Sequence, residues 1–551
     1  VCNFFHRMSK NQIKPSRLLL IFGLITPWLV LFYLFFKFTL NLPLRDDYRI
    51  FITFQKIYLN ATSIPEKIRA VFLPENESYP IFMRLIMIGQ YHLDGIMNFR
   101  HILLFCWLFI LAIWLVYWKK LSSSKDFATV FGLWLLNPLN YDFFYRPDVA
   151  TYQLVAFGFS VFAMYAATEY KRSTVLFKIF FIISYAFIIT GSINGIFSSV
   201  IIILYFFLNK EKKILILVST IVTIQLILLY LGRGNGKSIG ITENLLRYNY
   251  ELVFAYFMSL GGVFFLNQSS FFQILSGILG LSFFSIAFYH LFIKTKDFVN
   301  FKSMVFLFSA LSLAAIVGLR YNYWLPGYLS IFESRYKLYG ITIILIVLSI
   351  YYDKFSSKSG NFFILFVSIL LLFAGIYKAI FMLKDQQLTQ ITDAYNVGNG
   401  CVNQTYANKF LTTDTHAKFL KEKGAFDFYE KEEQIESLLK PENLLPFSKI
   451  DYTKNVADPM AMGDWAKTET PLSRIEAFGN FPKYNYYLIR FNLKNGKKAL
   501  HFLLPPIQSF RQNLTGSVNQ YSKLSHEYYF EIFEGLNPED AEIYGVNEIK
   551  L

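Results

Sequence analysis

The sequence predicts a polytopic α-helical membrane protein with about eleven transmembrane helices and a small α+β domain after them. Three observations predict it. Hydrophobic residues are 54% of the 551 and aromatics 19%, including 61 Phe and 37 Tyr, more apolar surface than a water-soluble fold buries. That surface is gathered into charge-poor runs of bilayer length with short Lys/Arg clusters between them. From residue 384 onward the texture changes to charges every few positions, as in a domain bathed by water.

The first element is a basic stretch, Arg7 to Arg17, ahead of an apolar run at 18–40. The run is long enough to span and no small-residue cleavage pattern follows it, so it reads as a retained span rather than a signal peptide. The other spans are read at 101–118, 127–139, 149–168, 173–190, 195–208, 214–231, 271–293, 303–319, 338–350 and 361–383. A further stretch, 251–266, is short and carries Gly261-Gly262 in its middle, which suits a re-entrant or interfacial helix. With the N-terminus inside, Lys119-Lys120, Lys171-Arg172, Lys210 to Lys213, Lys294 to Lys302 and Lys354 to Lys358 all fall on the cytoplasmic side. The odd count then puts the C-terminus outside.

This divides the chain into a membrane domain, 1–383, and an extracytoplasmic α+β domain, 384–551. Two outside connections are long, 41–100 within the membrane domain and 232–250 with its turn-rich "GRGNGKSIG". In the outer domain "KFLKEKGAFDFYEKEEQIESLLK" has helical spacing, and "YYLIRFNLKNGKKALHFLLPP" is two alternating runs around Asn495-Gly496, a hairpin signal. The net charge of +15 would suit nucleic acid, but the basic residues sit where membrane topology puts them, and that partner is set aside. The three cysteines, Cys2, Cys106 and Cys401, are too scattered for a disulfide framework or a Cys-based metal site.

The residues that carry chemistry lie on one predicted face. In "NLPLRDDYRI", Asp46 and Asp47 stand at the exit of the first span, ahead of an amphipathic "YRIFITFQKIYLN". Asp46 reads either as the N-cap of that helix or as a reactive carboxylate. Further along the same connection come Glu75, Glu77 and Arg84 in "PENESYPIFMRL", then His92 and Asp94 in "GQYHLDG". Such groups at the water–lipid boundary can deprotonate a hydroxyl or hold a divalent cation such as Mg, Mn or Ca. Between the ninth and tenth spans, "LRYNYWLPGYLSIFESRYKLYG" offers Arg320, Arg335, Tyr336 and Lys337, suited to phosphate oxygens. Tyr321, Tyr323 and Trp324 there read as an aromatic belt at the interface. "YRPD" at 145–148 and "TGSING" at 190–195 read as polar helix ends and turns, and His290 as an interface or packing histidine.

A span followed by "RDDY" in a long outside loop, a multi-span bundle, "ESRYKLYG" and an outside C-terminal domain together resemble the integral-membrane glycosyltransferases of the GT-C superfamily. Bacterial members carry an Asn-Glu-His-Arg element before the second span; here Asn76-Glu77-Ser78-Tyr79 keeps the glutamate and loses the His-Arg. The resemblance implies transfer of a sugar from a polyprenyl-phosphate donor to a glycan, lipid or protein acceptor, with inversion. Asp46 or Asp47 would be the general base, and Arg335, Arg320, Lys337 and Tyr336 would bind the donor phosphate. Glu75, Glu77, His92 and Asp94 would serve the acceptor or a metal. The setting it implies is a bacterial inner membrane, with the site and the C-terminus facing the periplasm. The rival reading is a flippase or transporter of lipid-linked glycans, for which nearly charge-free spans and the lack of a visible repeat are a poor match. A membrane polymerase, ligase or acyltransferase is a further alternative.

Overall fold

The protein is described here from a computed structural model covering residues 15–44, 47–74, 80–122, 124–191, 194–232, 241–264, 270–320, 336–399, 414–453, 473–493, 496–505, 520–528 and 536–549. It is a polytopic helical bundle with a β-sheet domain at its C-terminal end. Among the described residues six helices are long and apolar enough to cross a membrane: Ile21–Phe38, Phe99–Leu121, Pro147–Glu169, Phe271–Lys294, Phe301–Leu319 and Lys358–Gly398.

The remaining expected spans are also helical, but differ in length. Val175–Gly191 has 17 residues, Gly195–Leu208 has 14, Lys212–Gly232 has 21 and Lys337–Lys354 has 18. The stretch expected as one helix at 127–139 is broken. Lys125–Leu135 stops because Asn137, held extended ahead of Pro138, cannot continue the helix; a single 3-10 turn and the short helix Tyr141–Tyr145 follow. Helix Ile241–Leu260 is longer than expected at 20 residues, and it ends at the predicted glycine pair in a 3-10 turn, Gly262–Phe264.

Small residues let helices approach closely where apolar attraction between them is weak in lipid. Gly23 on the first helix, Pro15–Phe38, crosses Lys125–Leu135 so tightly that a Cβ at Gly23 would meet the Thr129 carbonyl, and one at Gly132 the Gly23 carbonyl.

The basic clusters gather at one end of the bundle. Lys120, Glu169, Lys302, Asp353 and Lys354 line a single cleft of about 510 Å³ there, and Lys171 pairs with Glu211 at 2.8 Å. The opposite end holds the connection after the first helix, the segment at 141–148 and the start of Lys337–Lys354.

The helix Lys358–Gly398, at 41 residues, is about 60 Å long, roughly twice the hydrocarbon core. Its second half continues past that opposite end and is the post on which the C-terminal domain is mounted. Among its described residues that domain has helices Asp414–Glu422 and Phe428–Glu436 and seven strands: β1 (Leu444–Leu445), β2 (Lys449–Thr453), β3 (Ser473–Pro482), β4 (Tyr486–Leu493), β5 (Lys498–Leu503), β6 (Gln520–Tyr528) and β7 (Leu536–Val546). They form two antiparallel sheets, ordered β1-β7-β4-β5 and β2-β3-β6. The predicted hairpin is present: β4 pairs β5 with Leu488 opposite Phe502, and Gly496 adopts φ +77°, the turn conformation glycine tolerates best.

Alternation along β4 explains why the domain sits firmly. Tyr487, Ile489 and Phe491 face a core shared with Ile475 and Leu524 of the second sheet, while Leu488 on the other face joins the main core with Leu500 of β5 and Tyr395 of the long helix. Asn396 then closes the joint, donating to the Leu500 carbonyl at 2.9 Å and accepting the Leu500 N–H at 2.8 Å.

Candidate functional site

The chain leaving the first helix folds back rather than continuing into water. Asp47 is completely buried, and its two oxygens are spoken for: Oδ2 accepts from the Leu44 N–H at 2.8 Å and Oδ1 accepts from the Asp148 N–H at 3.1 Å. It begins the one-turn π-helix Tyr48–Ile52, and its side chain caps no helical N–H there. The expected amphipathic helix follows as Thr53–Asn60, burying Phe54, Gln55 and Tyr58.

The backbone donor at Asp148 belongs to "YRPD". Arg146 donates to Asp148 from both sides of its fork, Nη2 to Oδ2 at 2.7 Å and Nε to Oδ1 at 3.3 Å. Its Nη1 reaches Asp142 Oδ1 at 3.4 Å, one turn earlier, and Gln386 Nε2 donates to the same oxygen at 3.4 Å. All of Asp142, Arg146 and Asp148 are buried. The expected polar helix ends are present, since Arg146 closes Tyr141–Tyr145 and Pro147 opens the next turn, but they are buried, and bidentate pairing is what makes charge tolerable there. His290, by contrast, is buried in the bundle as expected of a packing histidine.

The polar second half of Lys358–Gly398 supplies the wall. Gln386, Gln390 and Asp393 recur at helical spacing on one face, and Gln390 donates to the Leu42 carbonyl at 2.6 Å, tying the helix to the stretch before Asp47. Tyr48 stacks on Phe428 of the C-terminal domain with ring centroids 5.9 Å apart. Burial first, then the carboxylates of Asp393 and Asp47, push the Tyr48 phenol well above its ordinary value, so it stays neutral. Asn140, two residues before Asp142, is buried with neither amide atom partnered among the described residues.

Lys337 enters the same neighbourhood from the first turn of Lys337–Lys354. It is buried rather than in the water of a loop, close enough to Asp142 and Lys378 for their charges to act on it. Tyr336 beside it is buried too. A chain of contacts thus runs from Asp47, singled out from sequence, through Asp148 and Arg146, read there only as helix-end residues, to Asp142, which was not considered and whose charge reaches Lys337. The missed signal was available: charges at 142, 146 and 148 interrupt an otherwise charge-free run, and a buried helix start cannot leave them unpaired.

His92 and Asp94 are not drawn into this cluster. Both are exposed at the end of Ile81–Asp94, where His92 Nε2 lies 3.4 Å from the Tyr58 hydroxyl and Asp94 holds His101 Nδ1 at 2.5 Å and accepts from Gln90 at 2.8 Å. Arg84 is an anchor, donating to the Val71 carbonyl at 3.0 Å with its guanidinium over the Phe54 ring. Asp46, Glu75, Glu77 and Arg335 lie outside the described residues, as does the side chain of Arg320, the last residue of Phe301–Arg320. Among the described residues no group of three or more His, Cys, Asp or Glu converges as a metal site.

Comparison with protein-family models, curated proteins and solved structures gives no match. The reading of the site rests on its own geometry.

Proposed function

We propose that this protein is a membrane-embedded glycosyltransferase that moves a sugar from a polyprenyl-phosphate donor to a glycan, lipid or protein acceptor, at the extracytoplasmic face of a bacterial inner membrane. The observation that supports it most is the bond from the Asp148 N–H to Asp47, with the Asp148 carboxylate paired to Arg146 and Lys337 within reach of the Asp142 charge, at one end of the bundle beneath the C-terminal domain. Carboxylates and cations held together at a membrane surface suit a reaction in which a hydroxyl loses a proton while negative charge grows on a leaving phosphate.

In this reading the base takes the proton of the acceptor hydroxyl, the freed oxygen attacks the anomeric carbon from the face opposite the phosphate, and the C–O bond to phosphate breaks, inverting the centre. Both oxygens of Asp47 already accept backbone N–H groups, so Asp47 is the positioning member of the acidic pair and Asp46 the base. Lys337, with Arg335 and Arg320, would stabilise the departing polyprenyl phosphate.

The test is transfer of radiolabelled sugar from a panel of polyprenyl-phosphate sugars in membranes holding the wild-type chain, Asp46→Asn or Asp47→Asn at matched expression. Loss of transfer by about 100-fold or more in Asp46→Asn, with unchanged thermal stability, is the expected result. No turnover with any donor, and both variants unaltered, would return the weight to a flippase.

A further inference from the structure

A second site lies outside this cluster, where the bundle meets the C-terminal domain. Thr39 and Lys37 at the end of the first helix, Arg100 at the start of Phe99–Leu121, Lys384 of the long helix and Tyr486 and Glu548 of the β domain line a cleft of about 620 Å³. The three cations come from three separate helices, and none of them forms an ion pair with a described residue. Among the described residues their close partners are neutral: Lys37 donates to the Tyr33 hydroxyl at 2.9 Å, Lys384 lies 3.4 Å from Asn485 Oδ1 and over the Tyr486 ring, and Arg100 rests over the Phe35 and Phe36 rings. Thr39 is nine-tenths buried, and among the described residues its hydroxyl has no hydrogen-bond partner.

Below two of the cations runs an exposed apolar stripe at helical spacing. Leu29, Phe32 and Phe36 lead up to Lys37, and Phe373, Tyr377 and Phe381 lead up to Lys384. A basic cleft at the head of such stripes matches one kind of molecule, with a negative head and apolar tails. We propose that this cleft binds the phosphate headgroup of an anionic phospholipid, its acyl chains lying along the first helix and the long helix. The phosphate would sit among Lys37, Arg100 and Lys384 and accept from the Thr39 hydroxyl. Clustered cations gain affinity for anionic lipid charge by charge, and the apolar stripes supply the rest. A lipid so held would also bridge the bundle and the roof formed by Asn485 and Tyr486. The proposal stands whether or not the transferase reading does.

The test uses the full-length chain in nanodiscs of mixed phosphatidylglycerol and phosphatidylcholine, with retained lipid counted by native mass spectrometry after gentle release. Wild type should retain phosphatidylglycerol over phosphatidylcholine. Lys37→Gln, Arg100→Gln and Lys384→Gln should each weaken that retention by about fivefold. Glu548→Gln, which removes the carboxylate from the lining, should strengthen it, and this variant keeps the test decisive if the basic variants fold poorly. Retention unchanged in all four, or equal retention of the two lipids, overturns the proposal. So does displacement of phosphatidylglycerol by millimolar inorganic phosphate, which would mark a site for a free anion rather than a lipid.

Discussion

The two ends of the helix bundle carry charge in opposite ways. Where the basic clusters gather, Lys302–Asp353 and Lys171–Glu211 are ion pairs whose side chains keep between 22% and 63% of their surface in solvent. At the other end the Arg146–Asp148 pair keeps 6% and 5%. The first kind of pair can dissolve into water when broken, and the second cannot. Among the described residues the desolvated ion pairs lie at that end, which concentrates there the means to shift proton affinities and stabilise developing charge.

Mutations can break or sharpen this contrast. Arg146→Ala should be the most damaging, because it takes the guanidinium from the buried carboxylates of Asp148 and Asp142; a loss of about 3–5 kcal/mol is expected, read as a collapse of the melting transition in detergent or as failure to accumulate. If Arg146→Ala melts like wild type, the buried network is not a structural necessity. Asn396→Leu removes both bonds to Leu500 and should lower stability by about 1–3 kcal/mol, seen as faster hydrogen exchange along β5 with the bundle helices unchanged. At the opposite end Lys302→Ala should shift melting by less than about 1 kcal/mol, with the difference shrinking further in high salt.

The C-terminal domain gives a gentler test in pH. Burial raises the proton affinity of Glu436, but the Tyr395 hydroxyl and the Arg490 guanidinium outweigh it and hold the carboxyl below its ordinary value of 4.5; Glu542 is lowered in the same way by Tyr544 and Arg490. A depressed carboxylate stabilises the fold fully above its unfolded value, and that contribution disappears as pH falls through the folded one. The domain's melting temperature should therefore be level above pH 4.5 and decline below it. Arg490→Gln should flatten much of that decline, although both carboxylates are about a third exposed, so the effect is modest.

Much of the fold was legible along the chain. Each of the eleven apolar stretches contains helix, although the one at 127–139 breaks after Leu135, and the alternating runs around residue 496 pair as a hairpin, whereas the glycine pair at 261–262, expected in the middle of a helix, closes one. Periodicity and length carry such information because they are properties of one segment. The site was legible only in part. Asp47 and Lys337 were identified by their place at the ends of apolar runs, but "YRPD" looks the same whether it faces water or a neighbouring helix. The polar face Gln386, Gln390 and Asp393 looks like the start of a soluble domain, whereas it is the inner wall of a buried junction.

The sequence by itself therefore determined which segments form apolar helices, where charge appears along them and where the hairpin around residue 496 folds, since each follows from local hydropathy and spacing. Only the tertiary structure decided which charges are dry. Whether Asp47 faces solvent or accepts the Asp148 N–H, 101 residues away, depends on how two helix ends are brought together, and no single segment holds that information.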